Sequence, residues 1–142
     1  MAETSSKAPR NLPEGYAPPH SAEELLRRYS NGERFFPDAD IPDNSSLRGA
    51  ILAGAIFQDF WLSCVDLRDA DLRGCRFENG NVKCSDFGNA DLRNAVFAGA
   101  VNVEASSWHG AKVEGADFSG VWAYGSPINY PEFPFGKFGG SV

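Results

Sequence analysis

Between Ser45 and Gly99 the chain reads in fives: SSLRG (45–49), AILAG (50–54), AIFQD (55–59), FWLSC (60–64), VDLRD (65–69), ADLRG (70–74), CRFEN (75–79), GNVKC (80–84), SDFGN (85–89), ADLRN (90–94) and AVFAG (95–99). The third residue of each block, Leu47, Leu52, Phe57, Leu62, Leu67, Leu72, Phe77, Val82, Phe87, Leu92 and Phe97, is apolar eleven times in eleven. With apolar residues near half of ordinary composition, such a run arises by chance on the order of once in a thousand tries. A period of five suits neither a helix, whose faces recur at 3.6 residues, nor a flat strand, whose faces recur at two. It suits a chain that turns a constant angle per block, which is a solenoid. The first residue of each block supports this, because a second inward position beside a packed Leu or Phe has room only for something small. Ser45, Ala50, Ala55, Ala70, Cys75, Gly80, Ser85, Ala90, Ala95 and Ala100 obey the rule, Val65 strains it and Phe60 breaks it.

The block ADLRG at 70–74, nearly repeated at 90–94, resembles the consensus of the pentapeptide-repeat proteins. The resemblance spans about eighty residues. It implies an all-β fold, a right-handed quadrilateral β-helix with four blocks to a coil. Blocks twenty residues apart then stack, with Phe57, Phe77 and Phe97 in one interior column and Leu52, Leu72 and Leu92 in the next. Beyond Ala100 the frame slips by one residue, and an insertion near Trp108 or His109 returns Val113 and Phe118 to inward positions. The array from 45 to 125 makes sixteen blocks, about four coils, or a rod roughly 20 Å tall at the spacing of paired strands.

The flanks divide into a loose tail (1–20), a capping helix and lead-in (21–44) and a proline- and aromatic-rich segment (126–142). Ser21 with Glu24 three places on reads as a capping box, and Leu25, Leu26 and Tyr29 give the following short helix an apolar flank. That helix is expected to lid the open end of the solenoid, with Phe35, Phe36 and Ile41 continuing the seal. At the other end Tyr130, Phe133, Phe135 and Phe138 can lie over the last coil or over a partner's last coil, where Trp122 and Tyr124 sit; the plain cap is favoured. The first nineteen residues resemble neither a signal peptide nor a membrane anchor. Three cysteines without CxxC spacing point to a reducing compartment, so cytoplasm is expected, with no structural zinc or other metal and no cofactor.

Outward positions are where function would be written. Asp66, Asp71, Asp86 and Asp91 precede an inward residue, whereas Arg48, Arg68, Arg73 and Arg93 follow one, which reads as a solvated face of alternating sign. Residues 45–125 hold seven Lys or Arg against ten Asp or Glu, a net charge of −3. That sum excludes a basic nucleic-acid surface. It also falls short of the strongly negative rod that mimicry of DNA requires, the role through which members of the resembled family protect DNA gyrase. Ile51, Ile56 and Trp61 form an apolar run on the first coil, either covered by the helix flank or open to a partner. No catalytic constellation is present: His20 and His109 have no nucleophile at a motif spacing, Cys64 and Cys84 stack as free thiols, and Cys75 fills the interior. The expectation is a non-enzymatic interaction or scaffold module. Its partner is a protein, a second copy through the C-terminal end included, and Ile51, Ile56, Trp61, Trp108, Trp122 and Tyr124 are the candidate contacts. A cytosolic inhibitor or immunity-type protein is the alternative, followed by gyrase protection.

Overall fold

A computed structural model describes residues 11–128 and 133–134. The chain winds as a right-handed β-helix of four faces, preceded by one short helix. Among the described residues five strands form one sheet in chain order: β1 (Ile56–Gln58), β2 (Arg76–Asn81), β3 (Val96–Asn102), β4 (Val121–Ala123) and β5 (Ser126–Pro127). The pairs from β1 to β4 are parallel, and β5 folds back antiparallel on β4. Elsewhere single bridges such as Ser46 with Asp66 and Ile51 with Asp71 carry the ladder from rung to rung.

The turning angle comes from one residue per block. Two places after an inward centre the backbone takes a positive φ, as at Gly49, Gly54, Asp59, Cys64, Asp69, Gly74, Asn79 and Cys84. Glycine enters this region without strain, and Asn and Asp tolerate it best among the rest. This corner requirement explains the Gly, Asn and Asp at block ends.

Four files of side chains fill the interior. Face 1 stacks Phe36, Phe57, Phe77, Phe97 and Phe118, with ring centroids 5.8, 5.5, 4.7 and 5.0 Å apart in order. Ile41, Leu62, Val82, Val103 and Ala123 form face 2, Leu47, Leu67, Phe87 and Trp108 face 3, and Leu52, Leu72, Leu92 and Val113 face 4. Nearly all are buried, while Val113 and Phe118 near the last rung are partly so. Stacked rings and branched chains of this kind exclude water and gain dispersion on both flat sides.

Two features of this packing correct the expectations. The array starts two blocks earlier than Ser45, because Phe36 and Ile41 are buried interior members and not a seal. Its frame was hidden because Ile41 and Leu47 stand six apart, with one extra residue in the Pro42–Asn44 corner. The second insertion is Ala100, not a residue near Trp108 or His109. Strand β3 pairs Glu78 with Ala98 but Gly80 with Val101, so Ala100 bulges out, its N–H donating to Asn79 Oδ1 at 3.3 Å. Every later centre therefore moves by one, and Val103 and Trp108 take inward places that an unbroken count assigns to Asn102 and Ser107.

Helix α1 (Ala22–Ser30) closes the N-terminal end. Ser21 Oγ accepts the Glu24 N–H at 3.0 Å, Leu25 is fully buried, and the Tyr29 hydroxyl donates to Ala53 O at 2.6 Å. Part of the expected loose tail is in fact tied down: Tyr16 donates to Pro37 O at 2.8 Å, and Arg28 donates to Ala17 O at 2.7 Å. Opposite, Phe133 meets Trp108 and Phe118 edge-on at 5.5 and 5.2 Å and covers the last coil. Tyr130, Phe135 and Phe138 lie outside the described residues.

Candidate interaction surface

Faces 3 and 4 carry the charged ladders. On each face an aspartate just before the inward residue meets an arginine just after it, across the top of that one buried side chain. Asp71 accepts Arg73 Nε and Nη2, both at 2.8 Å, and Asp91 accepts Arg93 at 2.8 and 2.6 Å. Asp66 and Arg68 repeat the fork at 2.9 and 2.8 Å. Such bidentate pairing fits a planar guanidinium. The Arg93 fork pulls the Asp91 carboxyl down to about 2, and the Arg68 and Arg73 guanidinia hold Asp66 and Asp71 below the usual carboxylate range. Arg68 and Arg73 also reach the next rung, 4.0 Å from Asp86 and 3.9 Å from Asp91. Each sign is cancelled within one residue's reach, so neither face presents a continuous acidic track.

The corner between faces 1 and 2 is built differently. Just before the centres of face 2 stand Asp40, Trp61, Asn81, Asn102 and Trp122, paired rung to rung. Trp61 and Trp122 thus share one file, three rungs or roughly 14 Å apart. They are 49% and 36% exposed, and Tyr124 beside them is 70% exposed. Tyr124 and Gly125 both have positive φ, 54° and 80°, the geometry of a tight hairpin joining β4 to β5, and the hairpin tip holds the Tyr124 ring outward.

Between the two tryptophans the corner sinks into a groove. Its lower half, of about 430 Å³, is lined by Phe60, Trp61, Gly80, Asn81 and Ala100 with Asp59 and Asn79. The upper half, about 240 Å³, shares Gly80 and Ala100 and adds Asn102, Glu104, Trp122 and Tyr124. The cause of the dip is Phe60. In a slot meant for a small residue, its ring turns inward to within 6.1 Å of Phe57 and 5.7 Å of Phe77 and is buried. The residue one rung above must then give way: a Cβ on Gly80 would lie 2.2 Å from Phe60 Cδ1. Glycine at 80 and the bulge at Ala100 leave the corner without side-chain bulk.

The candidate contacts therefore separate. Trp61, Trp122 and Tyr124 meet along one groove, Ile51 stands 63% exposed on face 4, and Ile56 is half-buried on face 1 between Phe35 and Arg76. Helix α1 touches this coil through Tyr29 but does not cover Ile51 or Trp61, which remain open. Trp108 must be removed from the contact set. It is 1% exposed, stacks on Phe87 at 4.2 Å and donates its indole N–H to Ser106 at 2.8 Å. The one-residue shift at Ala100 carried it inside. Sequence reading missed Gly80, Ala100, Asn102 and Glu104; the signal available was a glycine twenty residues after the one oversized Phe.

Little else on the surface offers chemistry. Cys75 Sγ donates to Leu52 O at 3.0 Å, and burial pushes its thiol up to about 12. Cys84 is raised by its hydrogen bond with Cys64, a rung below. Among the described residues no group of three His, Cys, Asp or Glu is placed to hold a metal ion, and no helix is long and apolar enough to cross a membrane.

Residues 43–79 match the family model for pentapeptide repeats, in eight copies. Among solved structures the chain is similar to alr5209, a pentapeptide repeat protein from Nostoc PCC 7120. The two are 26% identical over 71% of this chain and 78% of that one, with a TM-score of 0.55. It is also similar to the pentapeptide repeat protein Rfr23 from the cyanobacterium Cyanothece 51142, at 30% identity over 58% of this chain and 59% of the other, with a TM-score of 0.34. QnrB1, a plasmid-mediated fluoroquinolone resistance protein, is 18% identical over 61% of each chain, with a TM-score of 0.42. No curated protein matches the chain.

Proposed function

We propose that this chain, which belongs to the pentapeptide-repeat proteins, is a non-enzymatic binding module that holds a protein partner in the groove between Trp61 and Trp122. The observation that carries the reading is three exposed aromatic rings gathered along one dip in an otherwise rigid wall. Tryptophan and tyrosine supply large contact area with few torsions to freeze, and they are enriched among residues that dominate binding energy. The backbone beneath is fixed by rung-to-rung hydrogen bonds, so little ordering opposes association.

Two observations favour this corner over the other surfaces. The Asp–Arg forks already satisfy their own charges, which weakens the DNA-mimic reading and gives an inhibitor of the immunity type no acidic track on faces 3 and 4. Phe133 covers Trp108 and Phe118, so a second copy joining at the C-terminal end would have to displace it.

A photo-reactive amino acid placed at 61 or 122 in the native host tests the reading. Covalent capture of one protein at both positions, with none at 73 or 93, is the expected result. Equal capture at the ladder positions, or none in the groove, would overturn it.

A further inference from the structure

The chemistry of the groove selects among protein partners, on the premise that the corner is the docking surface. Among the described residues its lining includes two carboxylates, Asp59 and Glu104, and neither lysine nor arginine. Around it, among the described residues of face 2, Lys83 is outnumbered by Asp40, Asp43 and Glu104, and Arg76 on face 1 is paired with Glu78. Glu104 is also held in place. Its backbone N–H donates to Asn102 Oδ1 at 2.9 Å, and its Oε2 accepts the Tyr124 N–H at 2.8 Å. One N–H does not exhaust the acceptor capacity of a carboxylate. The carboxylate is thus pinned beside Trp122 and the Tyr124 hairpin, where indole and phenol faces border the same dip.

We infer that the groove takes an arginine or lysine side chain from an extended basic segment of the partner. The cation lies over the Trp122 or Tyr124 ring with its charge against Glu104. Aromatic faces attract cations, most strongly when the site is partly dry, and a fixed carboxylate adds direction. The groove's lower half, with Trp61 and Asp59, repeats the same pairing of ring and carboxylate three rungs away. An extended chain running along the corner could fill both halves.

The test uses the whole protein and the nitrogen-bound protons of its indoles in NMR. A short peptide of alternating glycine and arginine is titrated in, with matched peptides carrying citrulline or glutamate in place of arginine. The arginine peptide is expected to shift the Trp61 and Trp122 indoles, to leave the buried Trp108 indole unmoved, and to bind more weakly as salt rises. Glu104→Gln still accepts the Tyr124 N–H and should weaken binding about fivefold; Asp59→Asn, which keeps a residue tolerant of positive φ, should weaken it less. Citrulline binding as tightly as arginine overturns the inference, as do shifts spread over the Asp–Arg faces with both indoles unmoved. The two failures separate through the captured protein: cross-links from 61 and 122 into a segment without Arg or Lys refute the cation site and leave the docking surface standing, whereas absence of capture refutes the surface itself.

Discussion

The Asp–Arg faces and the Trp61–Trp122 corner rest on the same interior, yet they differ in how far they keep to the five-residue grammar. Faces 3 and 4 keep to it most closely in the blocks of Asp71–Arg73 and Asp91–Arg93. A small residue points in, a carboxylate precedes the buried Leu, a guanidinium follows, and the pair closes on itself, as at Asp71 with Arg73. The corner departs from it at Phe60, whose ring leaves room only for glycine at 80, and again at the Ala100 bulge. Uniform repetition yields a wall whose polar groups are already satisfied. Irregularity yields a shape, and here it places aromatic rings where a partner can reach them.

The most damaging substitution should be one that removes the support common to both regions. Phe77→Ala takes out a ring stacked between Phe57 and Phe97 at 5.5 and 4.7 Å and is expected to cost about 3–5 kcal/mol in urea unfolding. A loss below about 1 kcal/mol would mean that the phenylalanine file is not an interior.

Next in size is Gly80→Ala, which brings a methyl 2.2 Å from the Phe60 ring and should destabilise by about 1–3 kcal/mol through overpacking. Phe60→Ala in the same chain should abolish that penalty, a coupling read from a double-mutant cycle. Additive losses would break the link between the oversized ring and the dip.

The contrast in function is sharpened by Trp122→Ala against Arg73→Gln. The first should cost about 2 kcal/mol of partner affinity, measured by calorimetry once the cross-linked partner is in hand, with under about 1 kcal/mol of stability lost. Arg73→Gln should leave affinity unchanged.

The smallest effect is electrostatic. Arg93 lowers the folded-state carboxyl of Asp91 to about 2, below the ordinary aspartate value near ~3.9. A depressed acid contributes stability that is complete above the unfolded value and disappears as pH falls through about 2. Arg93→Gln should move the Asp91 carboxyl titration, followed by carbon NMR, up toward the ordinary value. An unmoved midpoint would show that the fork is not its cause.

Much of the architecture is legible in the sequence. Apolar centres every five residues, small partners two places before them and Gly, Asn or Asp at block ends each state a packing or backbone requirement directly. Two single-residue insertions hid the remainder. Ile41 and Leu47 stand six apart, which disguised the first rung, and Ala100 concealed that Val103 and Trp108, not Asn102 and Ser107, face inward. The candidate site was half legible: Trp61, Trp122 and Tyr124 stood out by type, while Ile51 fell on another face and Trp108 went inside. An unpaired residue costs little in a hydrogen-bonded ladder when its N–H finds Asn79, so nothing in its own identity marks it.

By itself the sequence determined the repeat, the inward files from Leu47 to Phe97 and the need to cover both ends, because those follow from the identity of residues within one block and its neighbours. Only the tertiary structure decided which outward side chains lie together. Neighbours along the axis come from separate coils, twenty residues apart where the ladder is regular and twenty-one where it bulges, and the difference of one residue turns a surface tryptophan into a buried one.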